Sequence, residues 1–208
     1  MNRTIKQVIK ARRQTEGGGF QIRRPLPAPG VRYIDPILMI DEMGPVDYPP
    51  GEAIGAPDHP HRGFETVTYM LAGEFEHRDS AGHAGRLQPG DVQWMTAGRG
   101  VMHSEMPSAR IMEEGGRVHG FQIWINLPAA EKMSEPRYRD APADQLTHWQ
   151  GKGIEATAIS GQWALAGAEV QGPLDGLAQQ AAILDLVLAP GGALELSVPE
   201  SENLVGYV

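Results

Sequence analysis

Short runs of alternating or uniformly apolar residues, each closed by a turn signal, fill the first 130 positions. Thr4–Ile9 and Phe20–Arg24 read as two short strands around the turn Gly17-Gly18-Gly19. A stiff loop carrying Pro25, Pro27, Pro29 and Gly30 follows, and then the apolar run Ile34–Ile40. Residues 46–58, rich in proline, are expected to form an ordered surface loop. Phe64–Leu71 combines Thr, Val, Tyr and Phe, the residues that fit a pleated, half-buried surface. Further strands are predicted at Phe75–Arg78, Gly85–Gln88, Asp91–Met95, Gly100–Glu105 and Gly120–Leu127. Strands repeating at roughly 8–12 residues with Gly and Pro between them predict an all-β sandwich or barrel.

Leu127-Pro128 closes this block, and 1–130 is read as one domain. Glu131–Pro142 is a polar connector with room for one helical turn. Strands are then expected at Gly153–Ser160, Ala182–Leu188 and Ala193–Val198, the last after the turn Pro190-Gly191-Gly192. Residues 131–208 are therefore expected to form a second, partial domain in the same style. Asn203–Val208 reads as the opening of another strand, so the expectation is a barrel that is cut short or closed by another chain, since a free strand edge invites pairing.

Composition narrows the chemistry. The 26 glycines and 17 prolines favour turns and strands over long helices. A formal net charge of −8 argues against a free-standing nucleic-acid binder. Arg3, Lys6, Lys10, Arg12, Arg13, Arg23 and Arg24 nevertheless gather in the first 24 residues, most simply as a solvated arm. Cysteine is absent, which excludes disulfides, thiolate ligands and a cysteine nucleophile, so any metal must be held by nitrogen and oxygen. The start of the chain has charges throughout and no apolar signal core, and no run approaches ~20 apolar residues. A cytoplasmic protein with no membrane partner is the expectation.

Two pairs carry the candidate chemistry: His59-Pro60-His61 and His103-Ser104-Glu105. Residues i and i+2 of a strand share a face, so each pair aims two side chains at one point. Two such strands facing each other offer three imidazoles and a carboxylate to one divalent first-row ion. Around a six-coordinate ion that set leaves positions open, as reactive or sensing sites require. Pro60 cannot donate to a sheet ladder and suits a strand start or an edge. Spacing leaves the fourth ligand open, because Glu65 follows His61 by four residues and alternation would put it on the same face as well. His77 and His83 lie in a turn-rich segment and are expected in solvent, while Trp94, Trp124 and Tyr69 are expected in the core.

At these residues the sequence resembles the pirin family of the cupin superfamily. The resemblance runs through Asp35-Pro36 to Asp41-Glu42, then from His59 to Tyr69, His77 to Ser80, Pro89 to Glu105, and Phe121 to Pro128. It implies a double-stranded β-helix barrel that holds one iron, with His59, His61, His103 and Glu105 as ligands, and so favours Glu105 over Glu65. It implies a bicupin whose second barrel binds no metal. It also implies activity of the quercetin 2,3-dioxygenase type, with Fe(II) as cofactor and a flavonol and dioxygen as substrates. Glu105 would be both ligand and catalytic base for the flavonol hydroxyl. The alternative function is a metal- and redox-dependent regulatory protein that binds other proteins. There the charge on iron would act near Arg62 and Arg99, arginines otherwise expected to pair with Asp58, Glu65 or Asp91.

Overall fold

A computed structural model describes residues 3–16, 18–176 and 181–208, so Gly17 of the expected first turn lies outside the described residues. In chain order the strands of the first part are β1 (Arg12–Glu16), β2 (Phe20–Leu26), β3 (Ile37–Tyr48), β4 (Ala56–His61), β5 (Phe64–Ala72), β6 (Phe75–Asp79), β7 (Ala84–Leu87), β8 (Val92–Thr96), β9 (Val101–Pro107) and β10 (Gly116–Asn126). A short helix, α1 (Ala109–Glu114), precedes β10. Then come β11 (Arg137–Ala141), β12 (Thr147–Gly151), β13 (Ile154–Ser160), β14 (Gln162–Leu165), β15 (Ala168–Gln171) and β16 (Ile183–Leu188). The fold is all-β, as the turn-rich pattern predicts.

Seven strands form one sheet in the order β1-β2-β3-β10-β5-β8-β11, and four form a second in the order β4-β9-β6-β7. Their inner faces meet. Phe20, Ile22, Met43 and Met70 of the large sheet pack with Phe75 and Leu87 of the small one. The outer face of the large sheet is also covered. Val67, Val92, Trp94 and Ile125 pack there against Leu146, Ile159 and Leu174 of the following part. A sheet buried on both faces shows no polar-out alternation, and β8 accordingly is buried at every residue.

Several expected elements moved. The first strand is Arg12–Glu16 and not Thr4–Ile9, because the hairpin turn sets the register and pairs Glu16 with Phe20 and Arg12 with Arg24. Residues 4–9 lie beyond the end of that ladder. The loop expected at 46–58 is partly strand, with β3 running to Tyr48 and β4 starting at Ala56. Arg137–Ala141 of the supposed connector is an edge strand hydrogen-bonded to β8, on the far side of the boundary drawn at residue 130. Helix α1 has Ser108 as its N-cap, accepting from the Ile111 N–H, and Gly115 at φ 72° as its C-cap.

Within residues 147–176 and 183–188 lie a three-stranded sheet, β12-β13-β16, and a hairpin, β14-β15. Ala193–Val198 carries the alternation of a strand, and its Leu194 and Leu196 touch the cluster around Trp163 and Leu165, but it joins no ladder. Residues 203–208 form no strand either. Tyr207 packs edge-on against Phe121, and its hydroxyl donates to Glu42. No helix among the described residues is long and apolar enough to cross a membrane.

Candidate metal centre

Strands β4 and β9 pair antiparallel, with His59 directly opposite His103 and Ala56 opposite Glu105. β4 is the edge of its sheet, which accommodates Pro60 without a lost ladder bond. Alternation sends Met102 and Met106 outward and His103 and Glu105 inward. The three imidazoles meet on the inner side of this strand pair, with donor nitrogens all within 4.8 Å of one another. The Nε2 atoms of His59 and His61 are 3.0 Å apart. Two nitrogens each about 2.1 Å from one ion and at right angles to each other are separated by about 3 Å.

The protonation pattern suits ligation. His59 Nδ1 donates to the Pro57 carbonyl at 2.7 Å, which leaves its Nε2 lone pair free to face the cluster. His103 is 1% exposed, and neither of its ring nitrogens has a hydrogen-bond partner. Buried polar atoms of that kind call for an explanation, and a cation at the cluster would account for one of the two. Burial, and then the neighbouring His103 and His59, push the His61 imidazolium down to about 3. Burial also lowers His103, partly opposed by Glu105. Neutral imidazole is the form that binds a metal. The three histidines therefore fit a divalent cation.

Glu105 stands outside the group of three nitrogens that meet. It lies beside that group, buried, with Thr68 Oγ1 donating to Oε1 at 3.1 Å and Gln122 Nε2 donating to Oε2 at 2.9 Å. Its supports belong to a row of polar residues that crosses the inner face of the large sheet. Asp41 pairs with Gln122, Gln122 with Thr68, Thr68 with Gln93, and Gln93 with Asp140. At one end of the row Arg24 holds Asp41 through two bonds of 2.6 Å. Between Asp41, Gln122, Glu105 and the apolar Ile22, Met43 and Phe75 lies a cavity of about 80 Å³.

Glu65 is elsewhere. Gly63, at φ 78°, turns the chain between β4 and β5 and resets the alternation that spacing assumed. Glu65 accordingly shares a strand face with Val67, which packs in the cluster on the outer side of the sheet, and accepts from Thr96 Oγ1 at 2.6 Å. Thr68, three residues on, points inward to Glu105.

Other expectations change too. His77 is 3% exposed, not in solvent, because it follows Phe75 by two on the inward face of β6 and pairs across the ladder with Glu105. Its ring stacks on Tyr138 at 5.2 Å. His83 is exposed, as expected, and bonds Asp79. Trp94 is core, but Trp124 is half-buried and faces the site, stacked on Phe64 at 4.4 Å and edge-on to His61 at 5.2 Å. Tyr69 donates to Asp185 of β16. Arg99 pairs with Glu135, and Arg62 donates to the Met133 sulfur, so neither takes its expected partner. His148 uses both ring nitrogens, toward Thr157 Oγ1 and the Ala143 carbonyl.

Comparison with known proteins identifies the family. The Pirin family profile matches residues 19–125. A pirin-like protein of Solanum lycopersicum is 41% identical over 99% of this chain and 66% of its own length. A pirin-like protein of Caulobacter vibrioides is 39% identical over 97% of this chain and 70% of its own. The crystal structure of a quercetin 2,3-dioxygenase from Acinetobacter baumannii superposes with a TM-score of 0.72 at 30% identity, covering 80% of this chain and 52% of that one. The chain thus spans about two thirds of the tomato relative and about half of the Acinetobacter enzyme. With the family profile running over half of the sequence and the Caulobacter relative matched across most of its length, the chain belongs to the pirin family of the cupin superfamily.

Proposed function

We propose that this chain carries the metal centre of an iron-dependent dioxygenase that opens the ring of flavonols such as quercetin. The observation that carries the reading is the meeting of three imidazoles beside a buried carboxylate and a half-buried aromatic wall. Likeness to a protein named quercetin 2,3-dioxygenase supports the substrate class. His59, His61, His103 and Glu105 would hold Fe(II). When bound, iron supplies Lewis acidity and one-electron chemistry toward dioxygen.

The chain's own residues do the rest. Pro57 holds the His59 ring in orientation. The stacked Phe64 and Trp124 offer an apolar face to a planar aromatic ligand, a contact whose geometry is worth ~0.5–1.5 kcal/mol beyond burial. Glu105 takes the flavonol hydroxyl proton on a carboxylate oxygen and leaves the substrate as its anion. Thr68 and Gln122 keep that carboxylate aimed while it does so. We read β12–β16 as belonging to the second, metal-free barrel of a bicupin, whose cluster against Trp94 and Val67 backs the large sheet.

The test is oxygen uptake. The full chain, loaded anaerobically with Fe(II) and verified by metal analysis, is expected to consume oxygen when quercetin is added. Absence of uptake by a verified sample would remove the catalytic reading.

A second reading is a metal- and redox-dependent protein that docks onto other proteins. Met102 and Met106, 43% and 37% exposed on the outer face of β9, favour it, because that strand also carries His103 and Glu105. Capture of the same partners by ferrous and ferric protein would speak against it.

A further inference from the structure

Gln122 sits between two systems. Its Oε1 accepts from the Trp124 indole N–H at 3.2 Å, and its Nε2 donates to Glu105 Oε2 at 2.9 Å. An indole N–H only donates and an ionised carboxylate only accepts, so the amide has one orientation that satisfies both. Trp124 in turn is held by the Phe64 stack and by the edge of His61. Thr68 takes the other Glu105 oxygen. Both oxygens are therefore fixed, one by a hydroxyl and one by an amide that the aromatic wall locks in place. Residues that hold a metal ligand by its outer atoms set its orientation and its basicity.

We infer that Gln122 is a positioning residue for Glu105: it fixes the rotation of that carboxylate relative to the three histidines, with Trp124 as the lock on Gln122, and so sets how well Glu105 serves a metal held there. This rests on the proposal that His59, His61, His103 and Glu105 form one centre. It also ties the wall proposed to receive the substrate to the carboxylate proposed to take its proton, through a single side chain.

The test is Co(II) titration of the full chain, followed by the visible absorption bands that report coordination. Gln122→Leu, similar in size but without the amide, is expected to bind Co(II) about 10–100-fold more weakly and with altered bands. Glu105→Gln sets the reference. In the double variant, the Gln122→Leu change is expected to add no further loss, because it acts through Glu105. Trp124→Phe keeps an aromatic ring at the wall but deletes the indole N–H, and is expected to alter the bands with a smaller loss. That variant carries the test if Gln122→Leu does not fold.

Parental affinity and bands in Gln122→Leu would overturn the inference, as would losses that add in full in the double variant. If Glu105→Gln weakens Co(II) and Gln122→Leu does not, only the positioning role fails. If Glu105→Gln itself binds Co(II) as the parent does, Glu105 is not a ligand and the four-residue centre fails with it.

Discussion

His59 and His61, two residues apart on an edge strand, bring their Nε2 atoms to 3.0 Å. Three elementary facts produce that distance: alternation on a strand, a proline between the pair that an edge tolerates, and a Pro57 carbonyl that fixes one ring. His103 completes the group from the directly opposing position on β9. Changing His61 or His103 to Ala removes one of three converging nitrogens and is expected to abolish metal retention through dialysis, read by elemental analysis. Retention of a full equivalent by either variant would contradict the assigned group.

Two glutamates that spacing could not tell apart are expected to behave differently. Glu105→Gln should lower bound metal. Glu65→Gln should leave metal binding intact, since Glu65 faces the outer cluster, and should instead reduce thermal stability by disturbing a fully buried group bonded to Thr96. Parallel metal analysis and melting of the two variants separate the roles.

Gly63 is the residue that keeps those faces apart. Its φ of 78° is costly for any residue with a Cβ, while the atoms nearest to an added Cβ belong to the Lys132 side chain, at 3.7 Å or more. Gly63→Ala is therefore expected to cost about 1–2 kcal/mol through backbone strain alone. Denaturant unfolding measures it. A loss far larger than that would mean steric crowding that the geometry does not show.

Adjacent acids point to opposite faces and titrate in opposite directions. Asp41 faces the inner cavity, and burial raises its carboxyl despite Arg24. Burial also pushes Glu42 up, but hydrogen bonds from Arg23, Tyr207 and His119 outweigh it and bring the group below its ordinary 4.5. A lowered carboxyl stabilises the fold above its unfolded value, and that contribution is lost as pH falls through the folded value. A raised one has the opposite sign, destabilising at higher pH and relieved as pH falls. Glu42→Gln should therefore flatten the loss of stability below about pH 4.5, and Asp41→Asn should remove the relief that protonation brings as pH falls toward about 3.8. Unfolding midpoints between about pH 3 and 7 provide the check.

What the sequence disclosed follows from which signals are local. The His59–His61 and His103–Glu105 pairs were legible because strand alternation needs no knowledge of the fold. Glu65 was not, since one left-handed glycine resets the alternation two residues before it. His77 was not, since it borders the turn-rich stretch Asp79–Gly85, and only pairing of β6 with β9 turns its parity with Phe75 inward. Strand β11 alternates Tyr138 and Asp140 inward with Arg137 and Arg139 outward, so it has no apolar stripe to announce it. The β14-β15 hairpin did carry a signal, with Trp163 and Leu165 alternating before Gly167 and Val170 after it. Helix α1 carried another, with Ser108 before it and Gly115 after it. Gln122 had only strand parity to mark it. Its bonds to Trp124 and Glu105 depend on register between strands far apart in the chain.

The most direct test is equilibrium dialysis of the purified full chain against Fe(II) under anaerobic conditions, beside His103→Ala at the same protein concentration. One equivalent of iron on the parent and none on the variant is the expected result. Equal iron on both, or none on a folded parent, would contradict a metal centre built on His59, His61 and His103.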